Sequence, residues 1–197
     1  MSPIQYGWVD SSGAKHTDMA HFAERYMLQM PGQLLESRLG VCWDQVELQR
    51  KLFSDIGVTT RSFFIVHYDE DKCPTHTFTI FEYDNKIFWY EHAWATMRGL
   101  HEHDNLKNAI LDVRGKFIDD ELNNKYNPQN LVIYEYDAPK KNLSCSEFYK
   151  HCEKGKQIQI DSLWCVNAWA IRPHQTDYKI IFNYLVTYKR LLNPSWK

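Results

Sequence analysis

Long apolar runs are missing from this 197-residue chain. None approaches the roughly 18 residues that a membrane-spanning helix needs, so no bilayer span is expected. The opening stretch MSPIQYGWVD has neither the basic nor the apolar segment of a secretory leader. An excess of positive charge is missing too. Lys and Arg number 23 against 25 Asp and Glu, and the net charge of −2 gives no electrostatic reason to expect a nucleic acid or an anionic membrane as partner. The nearest approach to a basic patch, Lys140-Lys141 after Pro139, reads as a solvated turn.

Repeated cysteine spacing is likewise absent. The five cysteines (Cys42, Cys73, Cys145, Cys152, Cys165) are odd in number, which argues against a disulfide framework and for a reduced, cytoplasmic protein. There is no C-x-x-C pair, no H-E-x-x-H and no loop of acidic calcium ligands, so neither a metal nor another cofactor is expected. His101 and His103, two apart in GLHEHDN, read as part of a polar turn before a helix. Internal repeats, low-complexity tracts and long linkers are also lacking.

What is present suffices for a packed core: 44% hydrophobic and 15% aromatic residues, in a chain long enough for one sizeable domain. A single domain over residues 1–197 is expected, with a core over about residues 17–136 and a C-terminal extension over about 137–197. Met19, Phe22, Ala23, Tyr26, Met27 and Met30 repeat as one apolar stripe and predict a helix from Thr17 to Met30, closed by Pro31-Gly32. A short helix over Gln33–Arg38 follows, and Gly40 then breaks the chain. Cys42–Ile56 reads as helix with Gly57 as its stop. Thr59–Tyr68 reads as a strand, and THTFTIFEY and KIFWYEHAW flank Asp84-Asn85 as a hairpin. Asp104–Phe117 carries Leu106, Ala109, Ile110, Val113 and Phe117 on one helical stripe. LVIYEY, residues 131–136, is another strand, and Ser144-Cys145-Ser146-Glu147 is a capping box opening a helix that ends at Gly155. The aromatic-rich stretch beyond Ile158, with Trp164, Trp169, Tyr178, Phe182, Tyr184 and Tyr188, reads as core or as a lid against the sheet. A substrate groove between that segment and the hairpin is a further expectation. The fold class that results is α+β, N-terminal helices on an antiparallel sheet.

Free cysteines are mostly core filler. Cys42 differs by position. At the first turn of a helix its sulfur would sit beside unsatisfied N–H groups and the positive end of the macrodipole, both of which stabilise a thiolate. A thiolate nucleophile needs a base, and the base a group to hold it. With an even turn at Asp84-Asn85, Phe78 lies opposite Glu91 and His76 opposite Ala93. His76 and Glu91 then become diagonal neighbours on one face, with β-carbons roughly 7 Å apart or less. The same register sends Tyr90 and His92 to the other face beside Thr77, and a one-residue slip would exchange the faces. His67 has no acid placed beside it and reads as a sheet-edge or solvent-facing residue.

The stretches LGVCWDQVELQRKLFSDIGVTTRSFFI, THTFTIF and KIFWYEHAW, about Gly40 to Trp94, together resemble the transglutaminase-like superfamily of papain-type cysteine enzymes. The resemblance implies a papain-like core with the nucleophile at a helix N-terminus. It places the catalytic cysteine on Cys42, the histidine on His76 and the acid on Glu91, where the superfamily more often has aspartate in a W-x-x-D-P context. It implies acyl-enzyme chemistry on an amide or ester, with Tyr6, Trp8 and Gln33 as candidate oxyanion donors upstream. Trp43 and Asp44 read as first-turn packing and N-terminal charge complement. The expected function is a cysteine hydrolase, protease or amidase, acting on a peptide, protein or small amide. The alternatives are an acyltransferase of the transglutaminase or arylamine-acetyltransferase type, and an inert binding module on the same fold.

Overall fold

The computed structural model describes residues 4–68, 73–122 and 127–159. In chain order the elements are strands β1 (Trp8–Val9) and β2 (Lys15–His16), helices α1 (Phe22–Arg25), α2 (Pro31–Ser37) and α3 (Cys42–Asp55), and strands β3 (Thr60–His67), β4 (Thr75–Tyr83), β5 (Lys86–Glu91) and β6 (Gly99–His103). Then come α4 (Leu106–Phe117), β7 (Leu131–Tyr136), α5 (Cys145–Glu153) and β8 (Lys156–Gln157). The protein is α+β. Among the described residues no helix is long and apolar enough to cross a membrane. Cys165 and the aromatic stretch from Trp164 to Tyr188, with the lid and groove expected there, lie outside the described residues.

The chain divides into two compact units. The described part of the first takes residues 4–58 and 138–149, and that of the second takes residues from 59 to 137 together with 150–159. In the first unit α3 is buried along its whole N-terminal half, every residue from Cys42 to Gln49 included. Its end is as expected: Ile56 caps it and Gly57 follows at φ +75°. Trp43 stacks on Phe148 of α5 with ring centroids 4.4 Å apart, and Phe22 and Tyr26 meet Trp43 edge-on.

The helix expected over Thr17–Met30 is corrected to the four residues of α1. It starts after His21, held at φ +58°, and stops because other segments take over the backbone. Tyr26 bridges to Asp10, the Met27 N–H donates to the Val9 carbonyl at 3.2 Å, and the Leu28 N–H donates to the Leu143 carbonyl at 2.8 Å. Tertiary pairing has overridden the apolar period: Tyr26 and Leu28 are buried by it, whereas Met19 and Ala23 of the apolar stripe are exposed. Pro31, expected to close that helix, instead opens α2, where its missing N–H costs nothing.

In the second unit the strands form one antiparallel sheet in the order β6-β5-β4-β3-β7-β8. One face carries Phe63, Ile65, Phe78, Ile80, Trp89 and Ile133, and packs against the predicted stripe of α4. Asp84 and Asn85 have φ of +50° and +58°, the conformation that a two-residue hairpin turn requires at both positions. That turn is even, and it pairs Thr79 with Tyr90, Ile80 with Trp89 and Phe81 with Phe88.

Two histidine expectations are overturned. GLHEH is strand β6, not a turn: His101 stacks on Trp89 at 4.3 Å and donates to the Met97 carbonyl at 2.7 Å, and His103 faces Asp112. His67 is neither at a sheet edge nor in solvent. Strand β3 runs between β4 and β7, His67 is fully buried, and its Nε2 lies 2.8 Å from the Asn127 carbonyl.

Candidate active site

Cys42 belongs to the first unit, and His76 and Glu91 to the second. Cys42 is the first residue of α3, after Val41 in an extended N-cap conformation, and its side chain is buried. The approach to it is tight. A Cβ on Gly40 would stand 2.5 Å from Leu34 Cδ1 and 3.0 Å from Asp44 Cβ, so only glycine lets the loop pass there. The Gly40 N–H donates to the Gln5 carbonyl at 3.0 Å, and the Gln45 side-chain amide donates to the Gly40 carbonyl at 2.9 Å.

Asp44, two residues on, does far more than complement the helix charge. It is fully buried. One carboxylate oxygen accepts from the Tyr26 hydroxyl and the Gln29 N–H, both at 2.8 Å, and the other from the Val41 N–H at 2.9 Å. The carboxyl thereby ties the extended segment and the N-cap to the first turn of α3. Burial pushes its pKa up to about 7 against the lowering effect of those three donors. The Tyr26 hydroxyl is raised well above its ordinary range, by burial first and then by the charges of Asp44, Cys42 and Cys145.

His76 and Glu91 lie near the ends of β4 and β5, and both continue the face that carries the apolar core. His76 Nε2 and Glu91 Oε2 are 2.7 Å apart, and both side chains are buried. The other Glu91 oxygen accepts from the N–H groups of His92 at 2.8 Å and Trp94 at 2.9 Å. Burial alone would raise the Glu91 carboxyl. The His76 charge and hydrogen bond, helped by the two backbone donors, outweigh it and hold the carboxyl below its usual range. An ionised carboxylate can only accept, so Nε2 carries the proton. Proton exchange by the neutral ring then falls to Nδ1. A buried imidazole held in that tautomer is a competent general base.

The diagonal placement of His76 and Glu91 was legible in the register, and the bond between them is present. His92, sent to the other face, is buried, and burial first and the Arg98 charge second lower its pKa to about 4. Of the oxyanion candidates, Trp8 is fully buried with its indole N–H donating to the Asp18 carbonyl, and Tyr6 is half exposed. The Gln33 carbonyl oxygen accepts from the Met30 N–H and the Asn142 side chain. Sequence reasoning missed Trp94. Its ring meets the His76 ring edge-on with centroids 5.1 Å apart, and the residue sits three positions past Glu91 in the motif already singled out. Among the described residues no group of three or more His, Cys, Asp or Glu is placed to hold a metal ion. No family model matches the sequence, and no curated protein matches it.

Proposed function

We propose that this protein is a cysteine hydrolase, a protease or amidase with a transglutaminase-like arrangement, in which Cys42 is the nucleophile, His76 the base and Glu91 the residue that holds the base. One observation carries the reading: the buried 2.7 Å pairing of His76 Nε2 with a carboxylate whose second oxygen is fixed by two backbone N–H groups. A carboxylate anchored in that way favours one tautomer and stabilises the imidazolium that forms. Cys42 is the first residue of a 14-residue helix, in the turn whose backbone N–H groups have no partner within the helix. A reducing, cytoplasmic setting belongs to the same reading and is compatible with four described cysteines that form no disulfide with one another.

The chemistry follows. Nδ1 of His76 takes the Cys42 proton and the sulfur bonds to the carbonyl carbon of an amide. The C–N bond then breaks, with the imidazolium proton going to the leaving amine, and a thioester remains. Water, deprotonated by the same ring, attacks the thioester and releases the acid and the free thiol.

The test is labelling by an acyl-electrophile probe, read site by site in the wild type, Cys42→Ala and His76→Ala. Labelling at Cys42 that is lost in both variants supports the proposal. Turnover of peptide amides with and without an added amine then separates hydrolysis from acyl transfer. Cys42 labelling that survives in His76→Ala identifies an inert module and overturns the reading.

A further inference from the structure

The Trp94 indole N–H donates to Asp120 Oδ2 at 2.7 Å, and the Thr96 hydroxyl donates to the same oxygen at 3.0 Å. Asp120 lies in a π-helical turn, Ile118–Leu122, that continues α4. Such turns are rare and frequently mark functional sites. Asp120 is exposed whereas Trp94 is buried, so the bond joins a surface carboxylate to a ring inside the protein. That ring is wedged. One side meets His76 at 5.1 Å, and Phe117 meets it at 6.3 Å and 84°. The Trp94 ring thus packs edge-on against the imidazole whose Nε2 pairs with Glu91, and a shift of one ring would displace the other.

We propose that Asp120 is a positioning residue for the base: by latching Trp94 it holds the His76 ring in the plane that keeps Nε2 on Glu91, and keeps water off that bond. The inference deepens the reading of His76 and Glu91 as a base pair and rests on it. Asp120 itself touches neither residue in any bond described above.

The experiment uses the full chain in the wild type, Asp120→Ala, Asp120→Asn and Trp94→Phe. Two quantities are read: the ¹³C-histidine NMR resonance of His76 across a pH titration, and the iodoacetamide alkylation rate of Cys42. In Asp120→Ala the His76 resonance should shift and broaden, and alkylation should slow about tenfold, the scale of a small misplacement of a reacting group. Trp94→Phe keeps a ring but loses the donor, and should behave in the same way. Asp120→Asn keeps the acceptor and should restore both readouts. A His76 resonance unchanged in Asp120→Ala overturns the latch. So does an Asp120→Asn protein that behaves like Asp120→Ala, because the charge and not the hydrogen bond would then be at work. Failure of the enzymatic reading shows elsewhere, as alkylation of Cys42 that is indifferent to His76→Ala, while the His76 resonance still decides the latch.

Discussion

Glu91 has three donors on its two oxygens, and this decides what a minimal substitution does. In Glu91→Gln the side-chain carbonyl stays with the backbone N–H groups of His92 and Trp94, which both donate to one Glu91 oxygen in the wild type. The new NH₂ group then faces His76 Nε2 and forces that nitrogen to accept. The ring proton moves to Nδ1, and the base is lost with little change in shape. Labelling of Cys42 by an acyl electrophile should fall about a hundredfold or more, while the far-ultraviolet circular dichroism stays that of the wild type. A rate within a factor of about two of wild type, well short of the usual general-base contribution, would show that the carboxylate does not set the tautomer. At the same scale, an acid in the first turn of a helix reads as a complement to the helix charge, as Asp44 did. Sequence carries no sign that such an acid is sealed from water, because its burial depends on Tyr26 and Gln29.

At the scale of elements, the hairpin determines whether a base pair exists at all. Side chains alternate along a strand, so a turn one residue longer would carry Glu91 to the opposite face from His76. Asp84 and Asn85 hold the even turn with both φ positive. Asn85→Val puts a β-branched residue in that conformation and should cost about 1–2 kcal/mol, measured by urea denaturation, whereas Asn85→Gly should be neutral or stabilising. Equal midpoints for the two variants would mean that the turn geometry does not carry the register. The elements that could be read from sequence were those whose pattern is local: β4 and β7 fall where the alternation put them, and α4 buries its predicted stripe. The capping box also forms: the Ser144 N–H donates to Glu147 Oε2 at 2.8 Å and the Glu147 N–H to Ser144 Oγ at 3.4 Å. The misreadings share one cause. The stretch 17–30, His67 and GLHEH are each governed by a partner distant in sequence: Val9 and Leu143 for the first, β7 for the second, β5 for the third. Trp94 and Asp120, 26 residues apart, belong to the same class.

Across the whole molecule the buried titrating groups oppose one another. Asp44, raised to about 7, keeps in the folded state a proton that the unfolded chain releases near pH 4. Its contribution is fully present below that pH and is lost as pH climbs toward 7. His92, lowered to about 4, works the other way, because the unfolded chain binds a proton near pH 6.5 that the folded state refuses. Its contribution is lost as pH falls from there. The Glu91 carboxyl, held low, adds stability that disappears only in stronger acid. The wild type should therefore vary little in stability between about pH 4 and 7, and Asp44→Asn should unmask a rise with pH of at most about 1.4 kcal/mol per unit. Urea denaturation at several pH values checks this, and parallel curves for the two proteins would refute it. The central claim concerns a cysteine and a histidine that act together, and the pH profile of iodoacetamide alkylation at Cys42 tests it most directly. Coupling should make the alkylation rate depend on the imidazole, so that His76→Ala lowers it and changes the shape of the profile. Superimposable profiles for wild type and His76→Ala would contradict it.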